Sequence, residues 1–202
     1  MPMVSTEINA ETGRYMPGVE DLLPNAQYRR TEHREKVVED ILENFAVQSA
    51  NHKFHAILAT SSIPEAIQYY RLLKEKAPHI KATAIFDPSI DNNGTDRAMI
   101  KEEALVEILT DYKNYFGIEF SIPTWQNFKK DVARRMAHKK PYQRIGRDQQ
   151  LDIMIVVDQM LTGFDSKFVN TLYVDKLLAY EGLIQAFSRT NRLFGHDKRF
   201  GI

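Results

Sequence analysis

Apolar positions recur along this chain in two alternating periods. From Thr31 onward, Val37, Val38, Ile41, Leu42 and Phe45 return at three- and four-residue intervals, which predicts an amphipathic helix with Thr31 as a possible cap. Phe54 to Ala59 has strand length, is apolar apart from His55, and reads as a buried strand. Ser62-Ile-Pro-Glu65 follows it, a capping box with proline early in the first turn, and predicts a helix over Ile63 to Lys76. Ala82 to Phe86 is a second short apolar run, and Asp87-Pro-Ser-Ile-Asp-Asn-Asn-Gly94 reads as a loop by its turn residues. Helices are predicted from Asp96 to Tyr115 and from Thr124 to Met136. Ile153-Met-Ile-Val-Val157 is nearly continuous, the pattern of a strand covered on both faces. Residues 1 to about 30 are rich in Gly, Pro, Asn and charge without a sustained period, and read as an irregular lead-in.

Short apolar strands alternating with helices predict an α/β fold with a mostly parallel sheet flanked by helices. The division expected is a lead-in and first helix over residues 1–45, then one α/β body over 46–202. Ligands of such sheets collect at the carboxyl ends of the strands, among loops and helix N-termini. Thr60, Ser61 and Ser62 follow one apolar run, and Thr162 with Gly163 follows another. Backbone amides and short hydroxyls placed there suit a phosphate, that of a nucleic acid strand rather than of a nucleotide. Such residues are also ordinary turn and cap residues.

Composition narrows the setting more than the chemistry. The chain has 202 residues, with Lys plus Arg and Asp plus Glu both at 27, so no global field draws it to nucleic acid and any such contact is local. It has no cysteine, which removes disulfides and thiolate metal sites and sits comfortably with a reducing cytoplasm. No basic segment leads into an apolar run at the start, and no stretch approaches the ~18 apolar residues of a membrane span, so a cytoplasmic protein is expected. The six histidines show no metal-ligand spacing and read as surface or turn residues.

Local charge is concentrated in two places. Lys129, Lys130, Arg134, Arg135, Lys139, Lys140, Arg144 and Arg147 face the single acid Asp131 in one segment, which reads either as a phosphate-backbone or docking surface or as a solvated helix and loop. Near the end, a helix over Gln185-Ala-Phe-Ser188-Arg189-Thr-Asn-Arg192 stacks Gln185, Arg189 and Arg192 on one side at ~100° per residue, opposite Leu183 and Phe187. Paired guanidiniums on a rigid helix suit phosphate oxygens; a solvated helix face is the plain alternative.

The wording of the last third tips that balance. Asp152-Ile-Met-Ile-Val-Val157-Asp158, Met160-Leu-Thr-Gly-Phe-Asp165, Leu172-Tyr-Val-Asp-Lys176 and Leu183 to Arg192 together closely resemble the second motor lobe of superfamily 2 helicase-like translocases. More narrowly, they resemble the restriction (R) subunit of type I restriction-modification enzymes. Thr162 to Asp165 matches the Thr-Gly-Phe-Asp of motif V, Gln185 to Arg192 matches motif VI, and Phe54 to Ser62 is similar to motif IV. Ser188 stands where the wider motif VI often has glycine, as restriction subunits do.

The resemblance implies a RecA-like three-layer fold. It implies that Arg189 and Arg192 reach the γ-phosphate of ATP held on a preceding lobe, that Gln185 organises that cleft, and that Asp165, after the sharp turn at Gly163, contacts the ribose. Thr60, Ser61 and Thr162 match positions that touch the DNA backbone. Implied partners are duplex DNA, the first motor lobe and nuclease domain of the same full-length subunit, and methylation and specificity subunits; the implied cofactor is ATP with Mg²⁺. This chain has no Gly-Lys-Ser/Thr, no Asp-Glu dipeptide and no Glu-x-Lys, so a P-loop, a metal-organising acidic box and the nuclease pattern are expected elsewhere. The chain is therefore expected to be inactive alone, as a piece of a longer polypeptide. Two rival readings are the second lobe of another superfamily 2 helicase and a non-catalytic α/β interaction module.

Overall fold

The computed structural model describes residues 30–87, 95–157 and 166–176, together with the strands Glu7–Ile8 and Tyr15–Met16 and the residue Phe194. The chain divides into two compact units, Met1–Asp40 and Ile41–Ile202. In the first, β1 (Glu7–Ile8) pairs antiparallel with β2 (Tyr15–Met16). The helix α1 (Thr31–Gln48) begins there and ends in the second unit; Thr31 is its first residue rather than its cap. In the second unit α1 buries Ile41 and Phe45.

Among the described residues, the core of the second unit is a four-stranded parallel sheet in the order β4-β5-β3-β6, with β3 at His55–Thr60, β4 at Ala82–Ile85, β5 at Ile153–Val157 and β6 at Val169–Asp175. Every residue of β3 and β4 is buried, as a sheet covered on both faces requires. The expected α/β class, with a mostly parallel sheet and flanking helices, is what forms. β6 carries no turn-bounded apolar run, and periodicity does not mark it as a strand. Its signal is compositional, with Val169, Thr171, Tyr173 and Val174 among seven residues, and it gives β3 a second parallel neighbour.

The helices follow their sequence signals to within a residue or two. The helix α2 runs Ile63–Lys76 with Pro64 in its first turn, and the Ser62 side chain accepts from the Glu65 amide at 3.4 Å. Its inward face is Ile63, Ala66, Ile67, Tyr69, Tyr70 and Leu73. The helix α3 spans Thr95–Phe116 and α4 spans Trp125–Met136. Thr124 belongs to a 3₁₀ turn before α4, where its hydroxyl accepts from the Ser121 amide at 2.8 Å. Residues 88–94 of the expected loop lie outside the described residues.

The helix α4 is pinned at both ends of the sheet. At its start the Trp125 indole donates to the Phe86 carbonyl, 2.9 Å away, just past the carboxyl end of β4. At its end the Met136 carbonyl accepts from Ser166 at 2.9 Å, ahead of β6, and His138 meets His55, the first residue of β3. Between them Phe128 and Val132 are fully buried.

Candidate functional site

In-register pairing places Thr60 of β3 beside Val157 of β5 and Asp175 of β6, so one edge of the sheet gathers the carboxyl ends of three strands. Thr60 and Ser61, the two described residues assigned to nucleic acid, sit at this edge, and the geometry treats them differently. Thr60 is fully buried; its hydroxyl donates to the Val156 carbonyl at 3.2 Å and reaches the Ser62 carbonyl at 3.4 Å. The hydroxyl is thereby committed inside the sheet, and Ser61 is the exposed member of the pair.

Ser61 is engaged by Glu65. The carboxylate accepts from the Ser61 hydroxyl at 2.5 Å and from its amide at 3.3 Å. The capping box read from Ser62 and Glu65 is thus shared over two serines: Ser62 caps α2, while Glu65 reaches back one residue further, to Ser61. Next along the edge, the Tyr69 hydroxyl donates to the Asp175 carboxylate. An anion arriving at Ser61 has to displace a carboxylate, so short hydroxyls alone do not make this edge attractive to phosphate.

Thr162, Gly163, Asp165, Gln185, Arg189 and Arg192 lie outside the described residues. The chain leaves β5 toward Thr162 from the carboxyl edge, at Val157, next to Thr60. Among the described residues no group of three or more His, Asp or Glu side chains is placed to hold a metal, and no helix is long and apolar enough to cross a membrane.

The opposite edge holds polar residues that sequence reasoning passed over. Asp152, immediately before β5, is 1% exposed in its side chain and accepts from four donors. These are Arg147 Nη1 at 2.7 Å, Arg147 Nη2 at 2.9 Å, the Lys81 amide at 2.9 Å and His52 Nδ1 at 3.2 Å. Beside it His55 is buried, not at the surface or in a turn as expected, and its Nε2 lies 2.8 Å from Nε2 of His138. Burial, then the His138 charge, holds the His55 imidazole down at about 3. Burial also lowers His138, which stacks on Phe168 with ring centroids 3.8 Å apart. The signals for these roles were an acid abutting an apolar strand and a histidine beginning one, and both are weak alone.

The basic segment is sorted by the same packing. Arg135 is fully buried, its guanidinium 3.7 Å from the Phe116 ring centre and 4.1 Å from that of Tyr142. It donates to the Tyr112 hydroxyl at 2.9 Å and the Gln149 carbonyl at 2.6 Å. Asp131, the segment's acid, accepts from Tyr112 at 2.6 Å and Tyr142 at 2.5 Å. Burial, then the bond to Asp131, pushes the Tyr142 phenol up to about 12, so it stays a donor.

Residues 52–202 match the family model described as type I restriction enzyme subunit R domain 3. The chain belongs to the type I restriction enzyme R-subunit family. It is 35% identical over 173 residues to the type I restriction enzyme SauCOLORF180P endonuclease subunit of Staphylococcus aureus strain COL, covering 83% of this chain and 18% of that protein. It is 33% identical over 174 residues to the SsaAORF53P endonuclease subunit of Staphylococcus saprophyticus, with the same coverage of each. A shorter stretch of 49 residues is 45% identical to the HindI endonuclease subunit of Haemophilus influenzae, over 24% of this chain and 5% of that one. This R-subunit domain therefore spans about a fifth of the length of the curated relatives it matches over most of its length.

Proposed function

We propose that this R-subunit domain is the second motor lobe of an ATP-dependent DNA translocase within a type I restriction endonuclease. The observation that carries the reading is the R-subunit family match over residues 52–202, the stretch that holds the four described parallel strands and the Thr162-Gly-Phe-Asp165 and Gln185 to Arg192 wording. It is supported by connectivity, since the segment carrying Thr162, Gly163 and Asp165 departs from the carboxyl edge where ligands of parallel sheets collect.

In this reading ATP with Mg²⁺ is held mainly by a first lobe carrying a P-loop, which this sequence lacks. Arg189 and Arg192 bring positive charge to the γ-phosphate, stabilising the charge that develops on the transferring group; Gln185 orders the cleft and Asp165 meets the ribose. Ser61, the backbone after Thr60, and Thr162 contact duplex DNA. The lobe works inside a cytoplasmic assembly with the nuclease domain of its own subunit and with methylation and specificity subunits, and alone it hydrolyses no ATP.

Steady-state kinetics on the full R subunit test this. Arg192→Ala is expected to lower ATP turnover ~10³-fold or more while leaving nucleotide binding near the parental level. Turnover at the parental rate overturns the assignment.

A further inference from the structure

Once the basic segment is sorted by packing, a defined surface is left over. Arg135 is internal and Arg147 is paired with Asp152, while Asp131 is turned inward onto two tyrosines. Lys129 is half-buried, while Lys130, Arg134, Lys139, Lys140 and Arg144 remain exposed, and none of these five forms an ion pair among the described residues. In a chain whose cations and anions balance, five unneutralised cations in fifteen residues are a local field of one sign.

The surface is also rigidly built. Lys130 and Arg134 lie one turn apart on α4, away from its buried face of Trp125, Phe128, Val132, Arg135 and Met136. The turn after α4 folds back on the helix, with the Lys139 amide donating to the Arg134 carbonyl at 2.9 Å and the Tyr142 amide to the Lys139 carbonyl at 2.7 Å. The Tyr142 ring, packed on Arg135 and bonded to Asp131, anchors that turn from inside. A preordered cationic surface loses little entropy when it meets a polyanion.

Its place is separate from the strand-end contacts. Lys139 and Lys140 follow His138, which touches His55 at the start of β3, whereas Thr60 ends that strand. Five residue steps of about 3.3 Å place the two edges about 17 Å apart along β3. We propose that Lys130, Arg134, Lys139, Lys140 and Arg144 form a second phosphate-backbone contact for duplex DNA, running from the middle of α4 to the turn at the amino edge of the sheet and distinct from the Thr60–Ser61 edge. The choice of duplex over an acidic protein rests on the translocase reading above and on charge complementarity: five exposed cations, with the one intervening acid Asp131 engaged by Tyr112 and Tyr142, suit a uniform phosphate ladder.

The test is a titration of a fluorescent non-specific duplex with this chain, without ATP, over a series of salt concentrations. The parental chain is expected to bind with a steep salt dependence. Changing all five residues to Gln is expected to weaken binding at least ~10-fold in low salt and to flatten the log-log slope by about 3 or more, since each phosphate contact contributes about 0.9. R134Q/K139Q is the fallback should the five-fold variant lose its fold, and gives a flattening of about 1 to 2. Unchanged affinity and slope overturn the proposal. So does binding of poly-glutamate as tight as that of the duplex, which assigns the surface to an acidic protein. Because no ATP is present, a failure here is distinct from a failure of the Arg192 assignment, which is read in turnover.

Discussion

The two ends of the parallel sheet use their polar groups in opposite ways. At the amino end Asp152 is enclosed by Arg147, His52 and the Lys81 amide, and His55 is closed against His138. At the carboxyl end the Thr60 hydroxyl is buried, but Ser61 is exposed with its hydroxyl and amide on Glu65, a partner that also faces water. A buried carboxylate is tolerable only when every lone pair is met, so the amino end is organised for holding the fold. The carboxyl end instead keeps Ser61 in an exposed hydrogen-bonded pair with Glu65, a pair in which water can replace either partner. The cationic surface along α4 and the turn that follows it adds a further feature: a buried arginine, Arg135, underlies an external array of unpaired charge.

The contrast is most easily broken at Asp152. Asp152→Ala strands the Arg147 guanidinium, the Lys81 amide and the His52 ring together, and is expected to cost ~3–5 kcal/mol in urea unfolding. A loss below about 1 kcal/mol would make the cluster decorative. A smaller effect is expected from pH. An imidazole held at about 3 in the fold, against its ordinary 6.5, is protonated first in the unfolded chain, so stability is full above about pH 6.5 and declines as pH falls through the window between the two values. The slope is at most about 1.4 kcal/mol per pH unit, and unfolding midpoints measured between pH 7 and 5 should lose it in His55→Asn. A pH-independent parental midpoint contradicts a buried, neutral His55. The smallest expected change is Ser61→Ala, within ~0.5 kcal/mol of the parental stability because the site is exposed. A penalty as large as that of Asp152→Ala would erase the distinction between the two edges.

Much of the fold was readable because period and capping agreed. Ser62, Pro64 and the inward positions Ile63, Ala66, Ile67 and Leu73 all specify the same helix, and α2 begins and ends where they place it. The unbroken apolar run from Ile153 to Val157 was equally clear, because a strand buried on both faces leaves no alternation to misread. β6 was harder because Asn170, Thr171 and Asp175 dilute its apolar content, and its placement depends on pairing with a strand more than a hundred residues earlier. The same non-locality hid the sorting of cations. Arg134 and Arg135 are neighbours of identical type, yet one is exposed and the other fully buried, because only Arg135 points at Tyr112, Phe116 and Tyr142. Spacing marks the segment as basic; three-dimensional packing decides which of its charges remain free to act.

On the proposed reading, the R-subunit domain contributes arginines to ATP turnover without holding the nucleotide itself. Measuring kcat for ATP in the duplex-saturated R subunit carrying Arg192→Ala, alongside nucleotide affinity, addresses it most directly. A collapse of kcat by ~10³ or more with affinity retained is expected. A variant that turns ATP over at the parental rate contradicts it.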